Sequence, residues 1–361
     1  MRPAYLLVLL LLVACHLAAA EPVYPGTALV DFAGYSGCLK LHNDTTTVVL
    51  GPHAGGRILD YSYCGKPAIP LNPTQNGYTW QPGQKVVDPY GGRFDIGPEL
   101  TTPRHTDLWL GPWRARFSGP REATMISPVD RNTGLQLIRT FRLEEQGSHL
   151  RCTQKIRNLS AKTHRVCYWS RTFALGGGIC LVPLNPRSRF PRGYLTYGPG
   201  NVMDFRPAPH ENVRVREGFL EIRGNPPFSK FMADPEGEAV SQASGCGSMT
   251  TSAWLAYITP NDLLFVKRWP VYPQRAYGEM CAATLSVYYY PFIDELRKAP
   301  EQRPLPIDFC ELEPIGPTET LSPGQAASFT EDWWLTPYAM PAEGQDVDLA
   351  RMREVAGGLH Q

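Results

Sequence analysis

The sequence predicts an all-β protein built as a large antiparallel sandwich, and three observations predict it. Apolar residues alternate at period two in segment after segment. These segments recur every 8 to 20 residues between Gly and Pro, and no strand–helix–strand alternation is visible. The last point removes the dinucleotide-binding and P-loop folds together with their motifs. With 35 Pro, 33 Gly and 17 Tyr in 361 residues, a helical bundle is equally disfavoured.

Each element follows from local pattern. Segments 46–50 and 57–63 flank a Gly-rich turn, and 113–117 is the next strand. Across 135–143, Leu135, Leu137, Phe141 and Leu143 share a face on which Arg139 is the exception. In the following strand Leu150, Cys152 and Ile156 oppose Arg151, Thr153, Lys155 and Arg157, and the Glu144–Gly147 stretch turns the hairpin. A third strand, 166–169, follows the turn at 158–162, and further strands are expected at 213–216, 219–222, 254–258, 263–267, 284–290, 307–312 and 326–335. Segments 72–112 and 183–209 lack periodicity and read as long loops, rich in aromatic and charged residues. No linker or repeat divides the chain, so 21–340 is expected to be one domain. Residues 341–361 read as a peripheral tail with a short helix near 347–355.

The first 20 residues read as a targeting signal. Arg2 precedes an apolar run from Leu6 to Val13 and the small-residue end Ala18-Ala19-Ala20, too short a stretch for the roughly 20 residues a membrane span needs. Cleavage after Ala20 gives a secreted or periplasmic protein; Leu12-Val13-Ala14-Cys15 also fits a lipobox, with Cys15 lipidated at the cell envelope. Of the 35 basic residues only Arg2 lies in this segment, so 34 basic residues remain against 34 acidic. A neutral mature chain points away from nucleic acid, and the membrane enters only through a lipid on Cys15. Eight cysteines remain in an exported chain, which predicts disulfides, with Cys152–Cys167 and Cys38–Cys64 the favoured pairs. They form no CxxC and no zinc-like spacing with His, so neither a metal nor another cofactor is expected.

Three stretches, in order, resemble the galactose-mutarotase-like family of β-supersandwiches. They are Gly51-Pro52-His53-Ala54-Gly55-Gly56-Arg57-Ile58; the run Arg139–Leu143, Cys152–Ser160 and Trp169–Phe173; and Cys310-Glu311-Leu312-Glu313-Pro314 with Leu321-Ser322-Pro323-Gly324-Gln325 and Trp333-Trp334-Leu335. Together they span 45 to 336. The resemblance implies a concave sheet face holding a sugar, a carboxylate that takes the anomeric hydroxyl proton, and an acid at the ring oxygen. Glu313 falls where the family's base stands, and Glu311 shares its face of the strand. Where the characterised members carry a His, this chain runs Trp169-Ser170-Arg171-Thr172. Arg171 stays protonated and so serves as a hydrogen-bond donor rather than the acid.

The acid is sought in the polar loop containing Arg93, Asp95, His105 and Trp109, where His105 has the right chemistry. Arg57 at the strand restart, Arg93, Asp95, Trp109, Arg171, Lys267 and Glu311 complete the substrate-binding candidates. The resemblance thus implies an exported protein that binds a monosaccharide or an oligosaccharide end. If Glu313 and His105 act together it interconverts anomers as an aldose 1-epimerase does; without the acid it is a non-catalytic envelope or interaction module. Nothing in the sequence fixes its oligomeric state.

Overall fold

Alternating apolar residues become two large antiparallel sheets packed face to face. This computed structural model describes residues 24–197, 202–235, 237–239, 251–292 and 307–359; the signal segment with Cys15, and Cys246, lie outside the described residues. The first sheet runs, in spatial order, Thr27–Phe32, Tyr35–His42, Thr46–Gly51, Arg57–Tyr63, Gly92–Gly97, His164–Leu175, Phe309–Leu321, Leu285–Tyr290, Lys230–Ala233, Tyr194–Tyr197 and Met203–Asp204. The second runs Val213–Arg216, Phe219–Ile222, Ile179–Pro183, Thr251–Ile258, Leu263–Val271, Ala326–Pro337, Leu150–Asn158, Leu135–Leu143, Glu122–Ile126 and Arg114–Gly119. Their inner faces interdigitate through Phe94, Tyr168, Leu312, Leu137, Phe141, Ile156 and Trp333, all buried.

Arg139, the exception in its strand's apolar face, does point inward. Its guanidinium sits 4.7 Å from the Phe141 ring centre and donates to the carbonyls of Gly56 and Gly92, 3.3 and 3.1 Å away. A charged side chain on the apolar face thus joins the second sheet to the strand Gly92–Gly97 and to the turn before Arg57–Tyr63 in the first.

Several expectations need correction. The segment expected to be a loop over 72–112 contains Gly92–Gly97, a strand buried on both faces between Arg57–Tyr63 and His164–Leu175. Its alternation, Arg93-Phe94-Asp95-Ile96, spans only four residues between glycines inside a long aperiodic stretch, and its outward Arg93 and Asp95 are buried although charged. Segment 183–209 likewise contributes Tyr194–Tyr197 and Met203–Asp204 at the far edge of the first sheet.

The predicted disulfides do not form. Cys152 lies in the second sheet and Cys167 in the first, both as buried free thiols; Cys38 is buried and free, and Cys64 is exposed and free at a turn. The two members of the favoured pair flank one turn in sequence, but the chain changes sheets across that turn. The C-terminal segment is also more integral than a tail. Helix Leu349–Gly358, capped by Asp348 accepting from the Arg351 N–H at 2.9 Å, packs Leu349, Met352 and Ala356 against Ile179, Phe219, Leu264 and Val266.

Candidate functional site

The same alternation that fills the core places a polar cluster on the opposite, outward face of the first sheet. On Gly92–Gly97, Phe94 and Ile96 enter the core and Arg93 and Asp95 face out. On His164–Leu175, Tyr168 enters and Trp169 and Arg171 face out; on Phe309–Leu321, Cys310 and Leu312 enter and Glu311 and Glu313 face out. The register sets Arg93 directly beside Arg171 on one side, and the Glu strand beside it on the other.

Arg171 holds both glutamates. Its Nε donates to Glu311 Oε2 at 2.9 Å and Glu313 Oε1 at 3.0 Å, and its Nη2 donates to Glu311 Oε1 at 2.9 Å. The Arg171 side chain is 17% exposed against 3% and 1% for the two carboxylates, so solvent meets this cluster at the arginine. Asp88 bridges Arg171 to Arg93, and Arg93 lies over the Trp109 ring at 4.8 Å. The Gly55-Gly56 turn makes room for that loop: both residues have positive φ, and a Cβ on Gly55 would sit 2.0 Å from the Trp109 carbonyl.

Electrostatics divide the labour between the glutamates. Burial, reinforced by the charge of Glu313, pushes Glu311 up to about 8 despite Arg171, so Glu311 keeps its proton at neutral pH. Burial acts on Glu313 in the same direction, but the protonated Glu311 and the Arg171 charge outweigh it and hold Glu313 ionised, below the usual range. The pair therefore shares one proton. Glu313 Oε2 is buried and has no hydrogen-bond partner among the described residues. The Ser286 hydroxyl, opposite Glu313 in register and itself unpaired among these residues, and the Glu311 carboxyl help hold this carboxylate low, so Oε2 is an open acceptor with donors beside it.

His105 does not supply the acid. Its Nε2 lies 2.6 Å from Asp95 Oδ1 and its Nδ1 lies 2.7 Å from the Pro103 carbonyl, and neither oxygen can donate. Both ring nitrogens must carry hydrogen, and both hydrogens are engaged. Burial opposes this charged form, but Asp95 more than compensates and raises His105; Asp95 in turn is held low by His105 and Arg93 against its own burial. His105 thus anchors Asp95 and has no free N–H for a ring oxygen.

Two further candidates are corrected by their surroundings. Lys267 lies wholly between the sheets, with Nζ 3.0 Å from Glu331, 3.0 Å from the Leu312 carbonyl and 3.1 Å from Thr172 Oγ1. It touches the residues flanking Arg171 and the one between the two glutamates, so it supports the site from behind rather than binding substrate. Arg57 is occupied by the Ala54 and Tyr90 carbonyls and the Tyr35 hydroxyl. Sequence reasoning missed Asp88 and Lys230. Asp88 sits in aperiodic chain without a signal, whereas Lys230 has one in hindsight. It starts the short strand Lys230–Ala233, pairs in register with Tyr288 and so with Glu311, and lies 5.2 Å from the Trp169 ring centre and 3.4 Å from Glu99.

Neither a protein-family model nor a curated protein matches the sequence. Solved structures do match. A candidate aldose 1-epimerase from Klebsiella pneumoniae superposes with a TM-score of 0.54 over 93% of this chain and 87% of its own, at 11% identity. A candidate aldose 1-epimerase from Escherichia coli K12 gives 0.51 over 82% and 98%, at 12% identity. A Synechocystis protein gives 0.51 over 86% and 99%, also at 12% identity. The fold is galactose-mutarotase-like. At such identities the likeness establishes architecture alone, and the chemistry of this chain rests on its own residues.

Proposed function

We propose that the outward face of the first sheet binds a carbohydrate at its anomeric end, with Glu313 receiving a sugar hydroxyl. The observation that carries this reading is the buried, ionised Glu313 carboxylate, whose Oε2 makes no hydrogen bond among the described residues although the Ser286 hydroxyl lies opposite it in register. A hydroxyl supplies the missing hydrogen bond; Arg171, with its solvent-facing edge, supplies a donor to a neighbouring sugar oxygen.

The same pair can carry anomer interconversion. Glu313 removes the O1 proton while Glu311 turns the proton it shares with Glu313 to the ring oxygen, the C1–O5 bond opens, and rotation about C1–C2 before reclosure, with both protons returned, exchanges the anomers. Both oxygens are bonded to the same carbon, so an acid and a base side by side suit them. The competing reading, a binding module without chemistry, is favoured by the engagement of Arg171 with both carboxylates where the resemblance implies an imidazole.

Polarimetry of freshly dissolved α-anomers separates the two. Acceleration by wild type that is lost in both Glu313→Gln and Glu311→Gln supports the acid–base pair. Binding without acceleration assigns the non-catalytic module.

A further inference from the structure

The second sheet also turns one face to solvent, and its composition is unlike the chain's formal balance of 35 basic and 34 acidic residues. Along Leu150–Asn158 the inward residues Leu150, Cys152 and Ile156 are buried and the outward Arg151, Lys155 and Arg157 exposed; Arg142 and, on the edge strand Arg114–Gly119, Arg114 and Arg116 complete six exposed cations. Arg142 lies 3.7 Å from Glu144, and Arg151 lies 3.3 Å from Asp332. Arg114, Arg116, Lys155 and Arg157 have no carboxylate partner among the described residues.

These four cations stand in two pairs at either side of a flat floor. Register places Arg114 opposite Ile126, Ile126 opposite Ile138 and Ile138 opposite Lys155, so three strand spacings, about 14 Å, separate the pairs. One step along the strands from the Ile126–Ile138 line, Thr124 and Thr140, 3.1 Å apart, lie between the pairs; Ser118, 3.2 Å from Thr124 and 2.8 Å from the Glu122 carboxylate, extends this hydroxyl row on the Arg116 side, and Thr153 with Thr330, 3.1 Å apart, extends it past the Lys155 strand. Among the described residues none of the exposed large apolar side chains lies on these strands, so nothing here would enter a lipid interior.

We propose that this face docks a linear anionic polysaccharide, its carboxylate or sulfate groups on the paired cations and its hydroxyls along the threonine row. Charge complementarity supplies the attraction, and the hydroxyls, each both donor and acceptor, match a saccharide's own hydroxyls, which other polyanions carry in smaller number. The face is opposite in sheet and in direction to the Glu313 cluster, so the two sites stand or fall separately.

Heparin, a sulfated linear polysaccharide, is the probe, titrated calorimetrically into the full mature chain at two salt concentrations. Wild type should bind with an affinity that falls as salt rises. Lys155→Ser/Arg157→Ser should bind at least about tenfold more weakly with a shallower salt dependence. Arg114→Ser/Arg116→Ser should do the same, and Arg353→Ser on the C-terminal helix should not. Circular dichroism and melting of each variant confirm folding; these are exposed positions, and either double variant suffices. Absence of heparin binding by wild type, or undiminished binding by both folded double variants, overturns the proposal. Equal or tighter binding to duplex DNA or to phosphatidylserine vesicles overturns it in favour of an unselective anion surface.

Discussion

Replacing Lys267 with Met removes the ammonium that ties the two sheets together behind the candidate site. In the wild type its Nζ pairs with Glu331 at 3.0 Å and donates to Leu312 O and Thr172 Oγ1. Met fills most of the volume of the lysine stem, so the change isolates the charge and its hydrogen bonds from packing. Glu331 is left fully buried with Gln154 Nε2 and Trp333 Nε1, each at 2.9 Å, as its remaining donors. Removing one partner of a buried pair costs about 3–5 kcal/mol because the other charge is stranded, and two surviving donors place the expected loss at the lower end, about 3 kcal/mol. Lys267→Met/Glu331→Gln discards both charges and should recover at least half of that loss. Guanidinium denaturation midpoints measure both effects. A single variant within about 1 kcal/mol of wild type, or a double variant less stable than the single, would refute the supporting role.

Three further outcomes are expected. Stability should fall as pH rises from about 4.5 towards 8: folded Glu311 keeps its proton while the unfolded chain loses it, so the folded state binds more protons and the slope reaches at most about 1.4 kcal/mol per pH unit. His105, raised by Asp95, adds the same sign above its ordinary value of about 6.5, while Glu313 and Asp95, both lowered, withdraw stability only as pH drops below about 4.5. Urea midpoints should show the slope between pH 5 and 6 reduced in Glu311→Gln and unchanged in His105→Gln, the remainder coming from Glu279 and Asp60, both raised by burial; a wild-type curve rising through that window, or an undiminished slope in Glu311→Gln, contradicts the assignment. In native protein Cys64 should alkylate readily and Cys38, Cys152, Cys167, Cys180 and Cys310 only after denaturation, and recovery of a Cys152–Cys167 cross-linked peptide would contradict their separation in different sheets.

Strands with one apolar face were legible because burial on one side leaves a period-two trace; Leu135–Leu143 and Val213–Arg216 appear at their expected bounds. Gly92–Gly97 was not, because its alternating stretch Arg93-Phe94-Asp95-Ile96 is four residues long, bounded by glycines and set in aperiodic chain. For the site, Glu311, Glu313 and Arg171 were found through motif order, and Arg93, Asp95, His105 and Trp109 through polar density. The structure joins His105 to Asp95 and Arg93 to Asp95, Trp109 and, through Asp88, Arg171. What the sequence withheld was direction. Lys267 looks like a strand-end cation until the alternation of Leu263–Val271 turns it inward, and His105 looks like a free imidazole until its two acceptors are seen.

The central claim is that Glu313 accepts a sugar hydroxyl, and calorimetric titration of neutral hexoses and disaccharides into wild type and Glu313→Gln tests it most directly. Loss of one buried charged partner is worth about 1–3 kcal/mol, so Glu313→Gln should bind at least one of these sugars roughly five- to hundredfold more weakly while melting as a folded protein. Equal affinity of wild type and Glu313→Gln, or no heat from any sugar with wild type, would contradict the claim.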